Sequence, residues 1–249
     1  MRKSWLWPTL CLAIAGCKGT TTPSADASTK LAVQKDQSST SYTDAAATTS
    51  SGHVEATLGS IPDNLKTEGF SYFGLDNLKP QTMKVVTEGQ QVQEGGIERK
   101  LLKVTPQTAL YQQDYIGNLA NYGSVQVEAR PDGVYTVAQD GNTLPKPELE
   151  LPAIPTKGKQ WQIDGSTTVG GKAYHEMGTA TIIGPQKLKI GDKVYDALLV
   201  DETKTINFDK TTWADTDHTW YVKGLGQVKT DSTLKGDKGS RNIVLLVTG

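Results

Sequence analysis

The chain has 249 residues, of which 36% are apolar and 21% charged, with a formal net charge of −1. That length allows one large domain or two small ones, and the near-neutral balance offers neither the basic stripe of a nucleic-acid binder nor a polyacidic tail. Only one apolar run approaches membrane length and it is N-terminal, so a multi-span membrane protein is excluded.

In chain order, the first element is a secretory signal, residues 1–16. Arg2 and Lys3 form a positive n-region, and an apolar stretch runs from Trp5 to Ala15, interrupted by Pro8 and Thr9. It is about half the roughly 20 residues that a spanning helix needs. The next residues, Ile14-Ala15-Gly16-Cys17, resemble the bacterial lipobox. The resemblance implies cleavage between Gly16 and Cys17, a diacylglycerol on the Cys17 thiol and a further acyl chain, such as palmitate, on the new N-terminus. The alternative is an ordinary signal peptide with an incidental cysteine. Cysteine usage agrees with the first reading. Of the two cysteines, Cys11 and Cys17, only Cys17 would remain after cleavage, so no disulfide or cysteine metal site forms within the mature chain. Loss of Arg2 and Lys3 leaves 24 of the 26 basic residues against 27 acidic ones, a net of −3. Several acyl chains would anchor stably, because each buried methylene contributes about 0.8 kcal/mol. Lys18 stands where, in some bacteria, an aspartate retains lipoproteins at the inner membrane. Its presence points to the outer membrane of the cell envelope rather than the inner.

Residues 17–57 read as the lipidated cysteine and a disordered tether. From Lys18 to Thr57 the composition collapses to Thr, Ser, Ala, Asp, Gln and Lys, too little apolar surface to offset the entropy of ordering. As a random coil of about 40 residues it would span roughly 35 Å. His53 lies within it as a solvated linker residue.

Residues 58–249 are the expected folded domain, dense in turn signals: Gly95-Gly96, Pro131-Asp132-Gly133, Asp140-Gly141, Gly170-Gly171, Gly191-Asp192 and Gly236-Asp237. Between them the pattern has period two. Ser124 to Arg130 alternates without a break, placing Val125, Val127 and Ala129 on one face, and Gln160 to Asp164 does the same. Tyr195–Val200, apart from Asp196, and Ile243–Val247 are apolar at consecutive positions, as strands covered on both faces or lying in the curled centre of a sheet are. Tyr111, Tyr115, Leu119 and Tyr122 carry the nearest thing to helical spacing, but Gly117 interrupts it, and Ala109–Ile116 reads as a strand. The expected fold class is all-β: an antiparallel meander of roughly ten strands, curled into an open half-barrel or barrel to hide its edges. Two sandwiched domains meeting at Pro145–Pro155 are the alternative. This proline-rich segment cannot be a central strand and reads as a crossing connection within one sheet.

Leu151-Pro152 with Gly158-Lys159-Gln160-Trp161, Asp132-Gly133-Val134-Tyr135, and Thr219-Trp220-Tyr221-Val222-Lys223-Gly224-Leu225-Gly226-Gln227-Val228-Lys229 resemble motifs of uncharacterised bacterial envelope lipoproteins. That resemblance implies an open half-β-barrel, loosely similar to the lipoprotein carrier LolA and its receptor LolB, which bind acyl chains in their concavity. It implies a fold, not a function. In the last segment, Gly224 and Gly226 allow a tight turn around Leu225, and Trp220 and Tyr221 point to opposite faces.

Catalytic signatures are sparse. The domain holds only His175 and His218, and no Gly-x-Ser-x-Gly elbow occurs. His175-Glu176 begins like a zincin motif, but Thr179 stands in place of the second histidine. Asp215-Thr216-Asp217-His218 is the best polar cluster; it lacks an EF-hand's glycine and terminal glutamate and reads as a solvated turn rather than a metal site. The expectation is therefore a non-catalytic, membrane-anchored envelope lipoprotein, with no cofactor and no metal. Its β domain would bind a hydrophobic ligand, a lipid for example, or an envelope protein partner. Trp161, Trp220 and Tyr221 are the candidate ligand-facing residues, in a concavity lined by aliphatic and aromatic side chains. The alternatives are an envelope hydrolase acting on polysaccharide or peptidoglycan, which requires converging carboxylates, and a structural or adhesive module working through its sheet edge.

Overall fold

Alternating apolar residues build twelve strands: β1 (Gln81–Thr87), β2 (Gln93–Val104), β3 (Ala109–Gly117), β4 (Ser124–Arg130), β5 (Gly133–Gln139), β6 (Asn142–Pro152), β7 (Gln160–Val169), β8 (Lys172–Ile190), β9 (Lys193–Phe208), β10 (Thr211–Val222), β11 (Gly226–Gly236) and β12 (Gly239–Val247). The computed structural model describes residues 57–169, 172–237 and 239–248. The signal segment, Gly16, Cys17, most of the tether and the Gly170-Gly171 turn lie outside the described residues.

All twelve strands form one antiparallel sheet in the order β6-β5-β4-β3-β2-β1-β12-β11-β10-β9-β8-β7. The first and last strands pair directly, with Met83 opposite Val247, Val85 opposite Leu245 and Thr87 opposite Ile243. The sheet therefore curls into a nearly closed barrel whose two edges, β6 and β7, are consecutive in the chain. One sheet replaces the two-domain alternative, and twelve strands replace roughly ten.

The N-terminal segment plugs one end. Thr67 caps a short helix, α1 (Glu68–Phe73), by accepting a hydrogen bond from the Phe70 amide, and Gly74 ends it at φ 78°. Ile61, Leu65, Phe70 and Leu75 pack there against Ala109, Tyr111, Val127, Ala129 and Val134. Each such side chain, fully buried, contributes about 1.5–3 kcal/mol. At the other end Met83, Val85, Tyr115, Tyr174, Ile206, Trp213, Leu234, Ile243 and Leu245 fill the barrel. Between these apolar layers lies a polar one. β10 shows it best, its buried positions running Trp213, Asp215, Asp217, Thr219, Tyr221. On the outer face of β10 and β11, Thr216 and His218 are exposed and Lys229, Asp231 and Lys235 are open to solvent in part or whole.

Several local expectations hold. Ala109–Gly117 is a strand, and its buried Tyr111 and Tyr115 show why spacing of four was ambiguous: it fits one face of a strand as well as of a helix. Ala197–Val200 is buried at four consecutive positions, with Ala197 in a separate cluster with Leu188 and Val228 against Trp220. Others are corrected. Gly95-Gly96 is not a turn but lies inside β2. A Cβ at Gly95 would fall 2.3 Å from the Ile116 carbonyl oxygen and 2.8 Å from Leu119 Cγ, so close packing against β3 and the turn after it explains the glycine. Pro145–Pro152 is not a crossing connection but part of β6, an edge strand with register shifts against β5. Prolines are tolerated there because the edge lacks a second partner. The connection is residues 153–159.

Candidate functional site

The polar layer follows from strand alternation. On β9 and β10 Lys204 stands opposite Asp215 and Glu202 opposite Asp217, so all four face the barrel interior. Glu176 joins them from β8, and Glu148 and Glu150 reach in from β6 across the seam. Six carboxyl groups thus surround one ammonium. Lys204 Nζ lies 3.0 Å from Asp217, 3.2 Å from Glu202, 3.7 Å from Asp215 and 3.8 Å from Glu176. The Lys204 side chain is only 6% exposed. Neutral donors serve the periphery: Ser232 Oγ to Asp215 at 3.0 Å, Tyr174 Oη to Glu176 at 2.9 Å and Thr136 Oγ1 to Glu150 at 2.6 Å. Asp217, 4% exposed, and Asp215, 1% exposed, each keep one carboxyl oxygen without a hydrogen-bond partner.

Removing this many acids from water favours their neutral forms. Burial, then repulsion from Glu176, raises Glu148 to about 7. Burial raises Glu150 to about 8, against the bond from Thr136, and raises Asp215 to about 7, against the pull of Lys204. Glu202 is raised for the same first reason. Burial alone would lower Lys204; the opposing field of Asp217, Glu202, Glu176 and Asp215 instead holds it well above the ordinary lysine value. At neutral pH the cluster is therefore one fixed ammonium among carboxyls that share protons.

Two cavities meet at this cluster. The inner one, about 100 Å³, is lined on one side by Tyr115, Val125 and Val127 and on the other by Glu148, Glu202, Lys204 and Asp217. The second, about 190 Å³, lies at the seam between Tyr135, Lys146, Trp161, Asp164 and the same acids. Among the described residues no backbone ladder joins β6 to β7. Trp161 Nε1 donates to the Leu149 carbonyl at 2.9 Å, and Lys146 approaches Asp164 at 3.8 Å. A Cβ on Gly165 would sit 2.4 Å from Glu148 Oε1 and 3.2 Å from Glu176 Oε1, so this glycine in β7 leaves room for two carboxyl groups to meet across the gap.

The sequence-predicted aromatics separate. Tyr221 lines the inner cavity and stacks on Phe73 at 6.4 Å. Trp161 lines the seam cavity. Trp220 lies on the outer face, with Lys229 Nζ 4.7 Å over its ring. The inner lining carries the expected aliphatic and aromatic side chains, among them Val125, Val127, Leu144 and Tyr221, but adds an acidic patch of Glu148, Glu150, Glu202 and Asp217 that the sequence reading did not include. Asp215-Thr216-Asp217-His218 is not a solvated turn but the middle of β10, with the aspartates buried inside and Thr216 and His218 outside. His218 Nδ1 pairs with Asp201 at 2.7 Å, and His175 Nε2 with Asp164 at 3.2 Å, both away from the interior. Sequence reasoning missed Glu148, Glu150, Glu176, Glu202 and Lys204. The usable signal was the pair of aspartates at period two between Trp213 and Tyr221, which makes them inward-facing.

A second buried charge stands on another wall. Arg99 Nε donates to Gln113 at 2.9 Å and Nη1 to Gln81 at 3.0 Å, while burial lowers its pKa to about 10. Gln81 in turn donates to the Leu225 carbonyl at 2.6 Å. This network ties β1, β2, β3 and the β10–β11 turn.

No family model matches the chain, and no curated protein matches its sequence. Solved structures do. The hypothetical lipoprotein YmcC of Escherichia coli is 11% identical, with a TM-score of 0.32, covering 70% of this chain and 89% of that one. An exported protein of YmcC-like fold from Bacteroides fragilis is 7% identical, with a TM-score of 0.40, covering 69% and 94%. A candidate lipoprotein of Parabacteroides distasonis is 10% identical, with a TM-score of 0.50, covering 71% and 96%. The described domain thus shares a β-barrel fold with a bacterial lipoprotein-like chain.

Proposed function

We propose that the chain is a non-catalytic, lipid-anchored lipoprotein of the bacterial envelope whose barrel holds a small ligand, admitted through the seam between β6 and β7. The observation that carries this reading is that the barrel's one unladdered junction opens onto a cavity. Volume limits the occupant. Cavities of about 100 and 190 Å³ fall below the roughly 300–1,000 Å³ of drug-sized pockets. The occupant is therefore small, and an acyl chain would require the seam to part. The lipobox at Cys17 supports the anchor, and Lys18 supports an outer-membrane destination. A docking partner at the sheet edge has less support, because Pro145, Lys146 and Pro147 on β6 are the residues that keep edges from pairing.

The test is native mass spectrometry of the full chain purified gently from its host, followed by extraction. A small molecule that co-purifies and is lost in Trp161→Asp supports the reading; an empty barrel, or a ligand unaffected by Trp161→Asp, overturns it. For the anchor, Cys17→Ser should shift the protein from the membrane fraction to the soluble one.

One observation favours a second reading. Glu148 and Glu176 approach each other over Gly165, and the Glu148 pKa of about 7 suits a general acid. Against it, Glu176 is 2% exposed and already bonded to Tyr174, so a glycosidic oxygen has no path between the two.

A further inference from the structure

We infer that the carboxyl cluster at the seam is a recognition site for an organic cation, a primary ammonium carried on a short apolar body. This rests on the seam being a ligand entrance and names the chemical class of what enters. Three features of the interior carry it.

The first is an orphaned acceptor. Asp217 is 4% exposed and lines the inner cavity, and while one of its oxygens meets Lys204 at 3.0 Å, Oδ1 has no hydrogen-bond partner. A buried acceptor left unmade costs free energy, and an ammonium, with three donors, is a group that can satisfy it. The second is imbalance: Glu148, Glu150, Glu176, Glu202, Asp215 and Asp217 gather about one buried ammonium, that of Lys204, with a second, Lys146, only at the mouth. The interior tolerates this by holding protons, which a cation can displace. The third is the mouth. Trp161 and Tyr135 stand beside the acids at the seam, and aromatic faces attract organic cations. Among the described residues no three Asp, Glu or His groups converge closely enough to grip a metal ion, which favours a bulkier cation. Val125, Val127 and Leu144 on the apolar side of the inner cavity would receive the body of the ligand.

Affinity should depend on pH. Facing the entering cation are Glu148, Glu150, Glu176, Glu202 and Asp217, with Lys204, the phenols of Tyr115, Tyr122, Tyr135, Tyr174 and Tyr221, and, at the mouth, Lys146 and Asp164; Asp215 lies behind Lys204. The raised pKa values of Glu148 and Glu150, which line both cavities, mean that binding at pH 7 expels protons.

The experiment is titration calorimetry of the purified full chain with n-butylammonium and, as its neutral counterpart, 1-butanol. Runs at pH 6, 7.5 and 9 in two buffers of different ionisation enthalpy count the protons released. We expect n-butylammonium to bind with proton release, more tightly at pH 9 than at pH 6, by up to about tenfold per pH unit for each proton expelled. Loss of a charge-assisted bond in Asp217→Asn should weaken binding about 10- to 100-fold. Glu148→Gln, on the half-buried edge strand, tests the same site should Asp217→Asn fail to fold. Equal binding of 1-butanol, unchanged affinity in either folded variant, or absence of proton release overturns the inference. A co-purifying neutral molecule in the mass spectrometer, with no response to n-butylammonium, would overturn it while leaving the seam as an entrance.

Discussion

The barrel has two places where distant or adjacent stretches of chain must meet, and they are built differently. At β1–β12, strands separated by nearly the whole domain join by a continuous backbone ladder, with Met83, Val85, Ile243 and Leu245 buried beneath it. At β6–β7, strands joined by a short connection share no ladder and touch through Trp161, Lys146–Asp164 and the carboxyls over Gly165. Proximity in sequence did not produce pairing; side-chain chemistry decided it. Apolar inward residues draw edges together, because burial needs no particular partner. Acidic inward residues hold edges apart, since closing over them would deepen a desolvation cost already visible in their raised pKa values.

The sharpest way to break the comparison is to put a charge at each junction. Leu245, 5% exposed, lies in the apolar closure, where Leu245→Asp leaves an unpaired buried carboxylate. A loss above about 4 kcal/mol is expected. Ile163, half-buried on β7 at the seam, should tolerate the same change with a loss nearer 1 kcal/mol. Chemical denaturation of the two variants checks this; similar losses would mean that the seam is as tightly packed as the closure.

Glycine replacements probe the same contrast at smaller scale. A Cβ on Gly178 would fall 2.2 Å from the Thr203 carbonyl oxygen, which belongs to a paired backbone. Gly178→Ala should therefore cost about 1–3 kcal/mol. On Gly165 the nearest obstacle is the far end of the Glu148 side chain, which can swing into the seam cavity. Gly165→Ala should cost under about 1 kcal/mol, yet displace Glu148 and alter its titration, which carboxyl chemical shifts would report.

These elements show what the sequence could and could not convey. Val127 and Ala129 in β4, or Tyr111 and Tyr115 in β3, declare their strands because alternation is local. Asp215 and Asp217 alternate equally well, but two aspartates resemble a turn until one knows that Lys204 stands on the neighbouring strand. Lys204 and Glu148 are 56 positions apart in sequence and meet only because β6 and β7–β9 curl together. No local pattern encodes the pairing of β1 with β12, and without it the position of the seam is undetermined. The short helix α1, capped by Thr67 and ended by Gly74, has six residues, too few for a helical period to register.

The acid wall also predicts how stability responds to pH. Glu148, Glu150 and Asp215 titrate near 7, 8 and 7 in the folded barrel, against about 4 when unfolded. The folded form therefore holds protons that the unfolded form releases, and stability falls as pH rises. The contribution is whole below about pH 4 and lost through pH 7–8, with a slope of up to about 1.4 kcal/mol per pH unit for each proton involved. Urea midpoints should decline steadily from pH 5 to pH 8.5. A flat or rising profile would show that the acids are ionised throughout. Glu150→Gln, which keeps a neutral group in place, should flatten the decline.

The smallest effect tests a neutral hydrogen bond across the seam. Trp161→Phe keeps the aromatic surface and removes only the bond from Nε1 to the Leu149 carbonyl. Such a bond contributes about 1 kcal/mol net, so global stability should scarcely move. Local opening is another matter, because β6 and β7 have no ladder between them to share the load. Amide exchange in β6 and β7 should quicken about fivefold, while amides in the β1–β12 ladder stay unchanged. Equal acceleration at both junctions would mean that the barrel opens as one unit and the seam is not its hinge. Acceleration confined to β6 and β7 would mark the place where a ligand can pass without unfolding the closure on the far wall.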